Sequence, residues 1–294
     1  MMKKIALAAI MVILASCNSH EKKSDAFGNF EATEILVSSE ASGKLLFFNI
    51  NEGAEIDSGR IVAHIDSVQY QLKFEQIRAQ KEAVRVKSAN IVAQIDLLNQ
   101  QKTNLQIDKS RIESLLKNNA ATQKQLDDIS GAMKVIEKQV QTVEVQNPAI
   151  FNEIRSIDAQ IGQMQDLLKK CNIINPMKGT VLNKFAENSE LCAAGKPLYK
   201  IADLSTMYLR AYISGGELPK VKLGQKAMVL VDKDASSFHK IEGIVTWISS
   251  KAEFTPKIIQ TKDERVNMVY AVKIAVKNDG TIKIGMPGEV EFGL

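Results

Sequence analysis

The sequence is poor in the residues that most often carry out chemistry. Its 294 residues include only three histidines, three cysteines and one tryptophan. His20, His64 and His239 are scattered, and neither a His-Glu-x-x-His pattern nor a paired-cysteine spacing is present to hold a metal. A glycine-rich loop that could cradle phosphate is also missing, so any ATP hydrolysis would belong to a partner. We therefore expect no catalytic, cofactor-binding or metal-binding residues, and the protein is predicted not to be an enzyme.

Strong charge is missing as well. The formal net charge is only +4, and Lys3 and Lys4 contribute to it from the leading segment. No basic patch or aromatic RNA-binding motif is present, so the composition gives no reason to expect a nucleic-acid partner.

The first 16 residues have the pattern of an export signal. Lys3 and Lys4 precede a short apolar run, and small residues lead up to Cys17. The stretch ending in Cys17 resembles a bacterial lipoprotein signal, in which that cysteine carries the lipid anchor. An ordinary secretory signal followed by an incidental cysteine is the alternative. Residues 17–34 are predicted to be a tether.

A long helical hairpin is predicted over residues 69–170. Each arm is about 48 residues, and a loop over residues 117–121 is short enough only for an antiparallel turn. Asn147-Pro148 is predicted to interrupt the second arm, because proline lacks the N–H that a helix needs. Apolar residues recur at coiled-coil spacing in both arms, whereas the alternate seam of the first arm is mostly polar. The first arm carries Ile77, Val84, Ile91, Leu98, Leu105 and Ile112, with Lys81, Ser88, Lys102 and Lys109 in the alternate seam.

Short apolar runs flank the hairpin and repeat each other at a shift of 136 residues. Gly43 falls on Gly179 and Gly59 falls on Gly195, with no gap over 23 positions. Residues 35–68 and 171–202 are therefore predicted to be two halves of one small β-domain. Cys171 and Cys192 lie in the second half, and the sequence leaves open whether they pair or remain two separate buried thiols.

The arrangement resembles the HlyD-like family of periplasmic adaptors, or membrane fusion proteins. Residues 173–181 (IINPMKGTV) look like its I-x-A-P-x-x-G-x-V signature, with Asn175 where alanine is usual, and residues 285–290 (GMPGEV) resemble its closing barrel strand. The resemblance implies an α+β fold: a long antiparallel coiled-coil hairpin inserted in a lipoyl-like barrel-sandwich domain, then a small β-barrel over residues 203–294. A true lipoyl or biotin carrier is not expected, because the hairpin occupies the turn where the modified lysine would lie.

The same resemblance implies a function and partners. Family members join an inner-membrane transporter to a TolC-like outer-membrane channel as a hexameric ring in the periplasm of Gram-negative bacteria. The chain ends where the barrel closes, and residues 253–257 (EFTPK) look like the YbhG-like subgroup, which favours an ABC-type transporter. A structural envelope lipoprotein that uses the hairpin only as a spacer is the alternative function.

Arg111, Leu115 and Thr122 resemble the family's Arg…Leu…Ser tip motif, which engages the outer-membrane channel. A purely structural interpretation is also open. Thr122 could cap the second arm, Arg111 could pair with Asp127 or Asp128 across the hairpin, and Leu115 could belong to the seam.

Overall fold

The computed structural model describes residues 24–234, 237–254 and 268–293. Its helices are α1 (Val68–Lys117), α2 (Gln123–Glu144) and α3 (Asn147–Lys170). The strands are β1 (Ala26–Ser38), β2 (Gly43–Phe48), β3 (Glu55–Ile56), β4 (Ile61–Ile65), β5 (Asn172–Ile174), β6 (Gly179–Lys184), β7 (Leu191–Cys192), β8 (Pro197–Ser214), β9 (Lys226–Asp234), β10 (Ser237–Ile248), β11 (Glu253–Phe254), β12 (Met268–Lys277) and β13 (Pro287–Glu291). Leu218–Lys220 form a 3-10 turn. The proposed lipid-bearing Cys17 lies outside the described residues.

The helices form the predicted hairpin, with α1 as one arm and α2 and α3 as the other. Ile77, Val84 and Ile91 are buried in the seam, and Ile157 of α3 packs in one cluster with Ile77 and Val84. The second arm is interrupted as expected, since α2 ends at Glu144 and Pro148 lies in the first turn of α3.

The polar seam of α1 makes ion pairs to the other arm. Lys81 Nζ lies 2.6 Å from a carboxylate oxygen of Asp158, and Lys102 Nζ lies 3.0 Å from one of Glu137. These half-exposed pairs therefore cross-link the two arms beside the apolar seam.

The two sequence halves form one β-structure with an internal pseudo-twofold. We call strands β2 to β7, with the adjoining ends of β1 and β8, the β-unit. β2 pairs with β7 and β3 pairs with β6, so each half lends a strand to the other. Gly59 and Gly195 both adopt positive φ (82° and 88°), and their N–H groups bond to Asn175 and Ser39, which are themselves 136 residues apart. The repeat in the sequence therefore corresponds to a repeat in backbone bonding.

The core of the β-unit draws on both halves. Its largest fully buried side chains are Leu45, Ile65, Leu198, Tyr199 and Ile201. Cys171 and Cys192 are both buried in this core as free thiols, so the alternative of two separate thiols is the correct one. Burial raises the pKa of the Cys171 thiol.

The remaining strands close into a six-stranded antiparallel barrel. Around it run β1, β8, β12, β10, β9 and β13, and β13 pairs back onto β1. Its core includes Phe30, Met207, Leu209, Ile274 and Val290, all nearly inaccessible to solvent.

Two boundaries differ from the sequence expectation. The tether was expected to run to residue 34, but β1 begins at Ala26 and supplies a barrel strand in which Phe30 is 1% exposed. β8 runs without interruption through residues 202 and 203, where the second half of the β-domain was expected to end. β1 and β8 pair along both the barrel and the β-unit and thus join them as a two-stranded ribbon, with a register shift after Glu31.

Candidate functional site

The end of the hairpin far from the β-unit is a tight turn built by backbone bonds. α1 is 50 residues long, so it places this turn about 75 Å from its start at 1.5 Å per residue. Asn119 adopts a positive φ of 52°, a conformation that asparagine tolerates better than most residues. The N–H of Ala120 bonds to the Leu115 carbonyl at 2.9 Å, and the side chain of Asn118 donates to the Ser114 carbonyl at 3.1 Å. The turn therefore holds the ends of the two arms in one geometry.

Thr122 begins the second arm as the N-cap of α2. Its hydroxyl accepts the N–H of Gln125 at 3.3 Å, and the Gln125 side chain accepts the N–H of Thr122 at 2.8 Å. This reciprocal pair is a capping box. The interpretation of Thr122 as a helix cap is therefore confirmed. A partner could still contact its methyl group and the remaining lone pair of its hydroxyl oxygen.

Arg111 does not bridge the two arms. Its guanidinium lies 3.2 Å from Asp108, one turn earlier on the same helix, and its side chain is 67% exposed. Pairing with Asp127 or Asp128 was therefore a wrong expectation, because an acidic residue at i−3 is nearer than the opposite arm. Asp127 instead accepts a hydrogen bond from Gln123.

Leu115 lies one turn beyond Arg111 and is 39% exposed. Seam residues of the hairpin core such as Ile77 and Val84 are nearly inaccessible. Leu115 is therefore at most a partial seam residue, and much of its apolar surface is presented to solvent.

Arg111 and Leu115, at positions i and i+4, share one face of α1 near the hairpin end. An arginine fork can make two parallel hydrogen bonds to carbonyl or carboxylate oxygens, and the neighbouring leucine can fill an apolar pocket. Arg111, Leu115 and Thr122 all lie within three turns of the hairpin end. In the part of the chain that is described, histidine, cysteine and acidic residues do not gather into a metal-binding group.

The other end of the hairpin is fastened to the β-unit by contacts that the sequence did not reveal. The Tyr70 hydroxyl donates to the Ser42 carbonyl at 2.9 Å and accepts the Ser42 N–H at 3.1 Å. On the second arm, Lys170 lies 3.7 Å from Glu40. Because the Ser42 backbone makes both bonds to Tyr70, no side-chain pattern could have identified the pair. The tip therefore projects from a root that is bonded at both helices.

No protein-family model matches the chain. It is 24% identical over 332 residues to a UPF0194 membrane protein of Acidithiobacillus ferridurans, covering 99% of this chain and 96% of that one. It is 22% identical over 325 residues to a UPF0194 membrane protein of Yersinia enterocolitica, with 99% and 98% covered. None of the described helices is long and apolar enough to cross a membrane.

Solved structures share the architecture. MacA from Actinobacillus actinomycetemcomitans matches with a TM-score of 0.59 at 20% identity, covering 90% of this chain and 76% of that one. The membrane fusion protein Spr0693 from Streptococcus pneumoniae R6 matches with a TM-score of 0.54 at 17% identity, with 90% and 96% covered. Likeness at these identities establishes the fold, and the chain therefore has the fold found in membrane fusion proteins.

Proposed function

We propose that the protein is the periplasmic adaptor of a tripartite efflux or secretion system. It would join an inner-membrane transporter, favoured to be of the ABC type, to a TolC-like outer-membrane channel. The observation that carries this proposal is the rod of about 75 Å that ends in the exposed Arg111 and the partly exposed Leu115. A rod of this length spans a distance that a compact domain cannot.

The mechanism would be geometric. Lipid on Cys17 would hold the chain to the inner membrane, and the β-unit and barrel would seat on the transporter and on neighbouring copies. Six copies would bundle their rods into a conduit that meets the channel at the tips. The bonded root and the cross-arm ion pairs support this role, because they fasten the rod to the β-unit and the two arms to each other.

The exchange of strands between the two halves supports a lipoyl-like barrel-sandwich assignment for the β-unit. The hairpin leaves the β-unit where a carrier protein would present its modified lysine. We infer a scaffold rather than a carrier, without a cofactor.

Photocrosslinking at the tip tests the proposal. A photoreactive amino acid at Leu115 in cells should capture an outer-membrane channel, and affinity purification through the barrel should bring down the transporter. Val135, which lies about 18 Å from the start of α2 along the rod and is 56% exposed, provides a matched control probe. Capture of sister copies alone from both positions would favour the spacer function instead.

Variants at the tip give a second test. Arg111→Ala or Leu115→Ser should abolish complementation of the export defect in a deletion strain, while protein level and membrane attachment stay unchanged. Arg78→Ala is the matched control, because Arg78 is also exposed and also pairs with an acidic residue at i−3. Full complementation by both tip variants would contradict the docking role.

A further inference from the structure

The β-unit contains one short backbone segment twice, as residues 42–45 and 178–181. The two copies are related by the same shift as the two halves. Their last residues bond through the backbone to equivalent carbonyls of the other half: Leu45 N–H to Glu190 at 2.8 Å, and Val181 N–H to Ala54 at 3.0 Å. Along an antiparallel strand, the backbone groups of successive residues point alternately to opposite sides. The first residues of the two copies, Ser42 and Lys178, therefore direct their N–H and carbonyl groups alike, to the side away from those bonds.

In the first half, both backbone groups of Ser42 are bonded to one side-chain oxygen. The Tyr70 hydroxyl accepts the Ser42 N–H at 3.1 Å and donates to the Ser42 carbonyl at 2.9 Å. A hydroxyl can do both with a single atom, because it carries one O–H donor and two acceptor lone pairs. α1 begins at Val68, soon after β4 ends, and so brings Tyr70 to this position.

In the second half, the chain does not bring a hydroxyl to Lys178. β8 continues into the barrel, and Thr206, the equivalent of Tyr70, belongs there to the ladder between β8 and β12. The register of β6 and β8 places Leu204 opposite Lys178, but the Leu204 carbonyl accepts the Asn278 side chain at 2.9 Å instead. Within the residues that the structure describes, the N–H and the carbonyl of Lys178 thus have no hydrogen-bond partner.

Lys178 lines a pocket of about 520 Å³ between the β-unit and the barrel. Thr180 belongs to the side formed by the β-unit, and Ser205 to the part of β8 that enters the barrel. The apolar side chains of the lining are Leu204 and Ile282. Its charged side chains are two carboxylates and two ammonium groups: Glu55, Asp203, Lys178 and Lys283. Because these charges balance, the pocket suits a ligand without net charge.

We propose that this pocket binds an uncharged small molecule through a hydroxyl group, which accepts the N–H of Lys178 and donates to its carbonyl. The hydroxyl would lie against Lys178 as the Tyr70 hydroxyl lies against Ser42. Phenols and sugars both supply such a group, and the pocket offers apolar surface for a ring as well as side-chain hydroxyls for a sugar. The site does not depend on the proposed adaptor function, because it is formed within one chain.

Fluorine NMR of para-fluorophenol tests the site. This probe is a phenol like the tyrosine side chain and is uncharged at neutral pH. The exported chain carrying Cys17→Ala needs no detergent, and adding it should broaden the fluorine signal of the probe. Para-fluoroanisole is the matched control ligand: it has the same ring, but its ether oxygen has no proton to donate, so its signal should broaden far less. Equal broadening of the two signals would overturn the proposal.

Competition distinguishes the two kinds of ligand. If methyl glucoside restores the sharp signal of para-fluorophenol, the pocket takes sugars through the same hydroxyl contact. If it does not, the site is one for phenols.

Two variants locate the binding. Ser205→Trp should fill the pocket and remove the broadening, and it should fold, because the Ser205 hydroxyl bonds only to Asp203. Ser156→Trp, on the exposed face of α3, is the matched control and should bind as the parent chain does. Lys178→Pro removes the N–H and should weaken binding several-fold while the pocket stays open. Binding that persists unchanged in Ser205→Trp or in Lys178→Pro would overturn the proposed site.

The equivalence of the two halves provides an independent check. Tyr70→Ala exposes the N–H and carbonyl of Ser42, so this variant should bind two molecules of para-fluorophenol where the parent chain binds one. An unchanged stoichiometry would overturn the equivalence on which the site rests. Binding by Tyr70→Ala but not by the parent chain would show that such a backbone pair accepts a phenol while the pocket at Lys178 does not, which also overturns the proposal.

Discussion

Asn175 should be a stabilising residue of the β-unit, although the family that the chain resembles usually has alanine there. The side chain is fully buried. Its Nδ2 donates to the carbonyls of Asp57 at 2.9 Å and Met177 at 2.6 Å, and its Oδ1 accepts the Tyr199 hydroxyl at 2.8 Å. Burial raises the pKa of Tyr199, so its hydroxyl stays protonated and acts as the donor. One amide thus ties both halves of the β-unit together.

The magnitude follows from the bonds that each substitution removes. Asn175→Ala removes two donated bonds worth about 1 kcal/mol each and leaves a buried hydroxyl unpaired, so we expect a loss of roughly 3 kcal/mol. Tyr199→Phe leaves only Oδ1 without its donor and should cost about 1–2 kcal/mol. The double variant leaves no hydroxyl to satisfy. Its loss should therefore fall short of the sum of the single losses by about 1 kcal/mol.

Hydrogen exchange measured by mass spectrometry can localise this loss. Amides of β5 and β6 should exchange roughly a hundredfold faster in Asn175→Ala, while those of the barrel stay unchanged. Ser39→Ala is the matched control, because Ser39 is the equivalent buried position in the other half and its hydroxyl makes one local bond, to the Ala41 carbonyl. A loss below about 0.5 kcal/mol for Asn175→Ala, or strictly additive single losses, would refute the reasoning.

Three further substitutions test other parts of the fold. Thr122→Ala should destabilise the first turn of α2 by about 1 kcal/mol through loss of its cap, seen as faster local exchange that Thr122→Ser does not produce. Lys81→Glu should lower the free energy of unfolding of the hairpin by about 1 kcal/mol at low salt, measured by urea unfolding followed by circular dichroism. Adding Asp158→Lys should restore that stability. If salt does not reduce the loss in the single variant, the effect is not one of charge. Phe30→Ala should cost about 3–5 kcal/mol of barrel stability, measured by Trp247 fluorescence, whereas no change would mean that the first strand is only a tether.

The elements that could be predicted from the sequence are those set by short-range or repeated patterns. The heptad spacing predicts the hairpin, because apolar residues at that spacing line one face of a helix. The repeat at 136 residues predicts the two halves of the β-unit, because glycine at equivalent positions indicates the same positive φ in both. The capping box at Thr122 was visible because it is a four-residue pattern.

The elements that were missed depend on long-range pairing. The sequence predicts a tether for the first part of β1 because its partner residues 208–212 lie nearly two hundred positions away, and no local pattern identifies them. The partners of Lys81 and Lys102 depend on the register of the two arms, which apolar spacing leaves free. Asp108 was different, since an acidic residue at i−3 of Arg111 could have been recognised in the sequence.

Several residues of this chain lie where their type is unfavourable, such as a buried polar side chain or an exposed apolar one. They fall into two groups, according to whether other residues of the chain compensate for the unfavourable position. Asn175 is polar and buried, but hydrogen bonds within the β-unit replace those that its side chain would make to water. Lys81 lies in a helical seam, but Asp158 neutralises it. Neither needs a partner to explain it. Leu115 and the helical Gly131 have no such compensation within the described chain. Sequences are locally consistent except where function requires otherwise, so these uncompensated residues mark where other molecules should contact the rod.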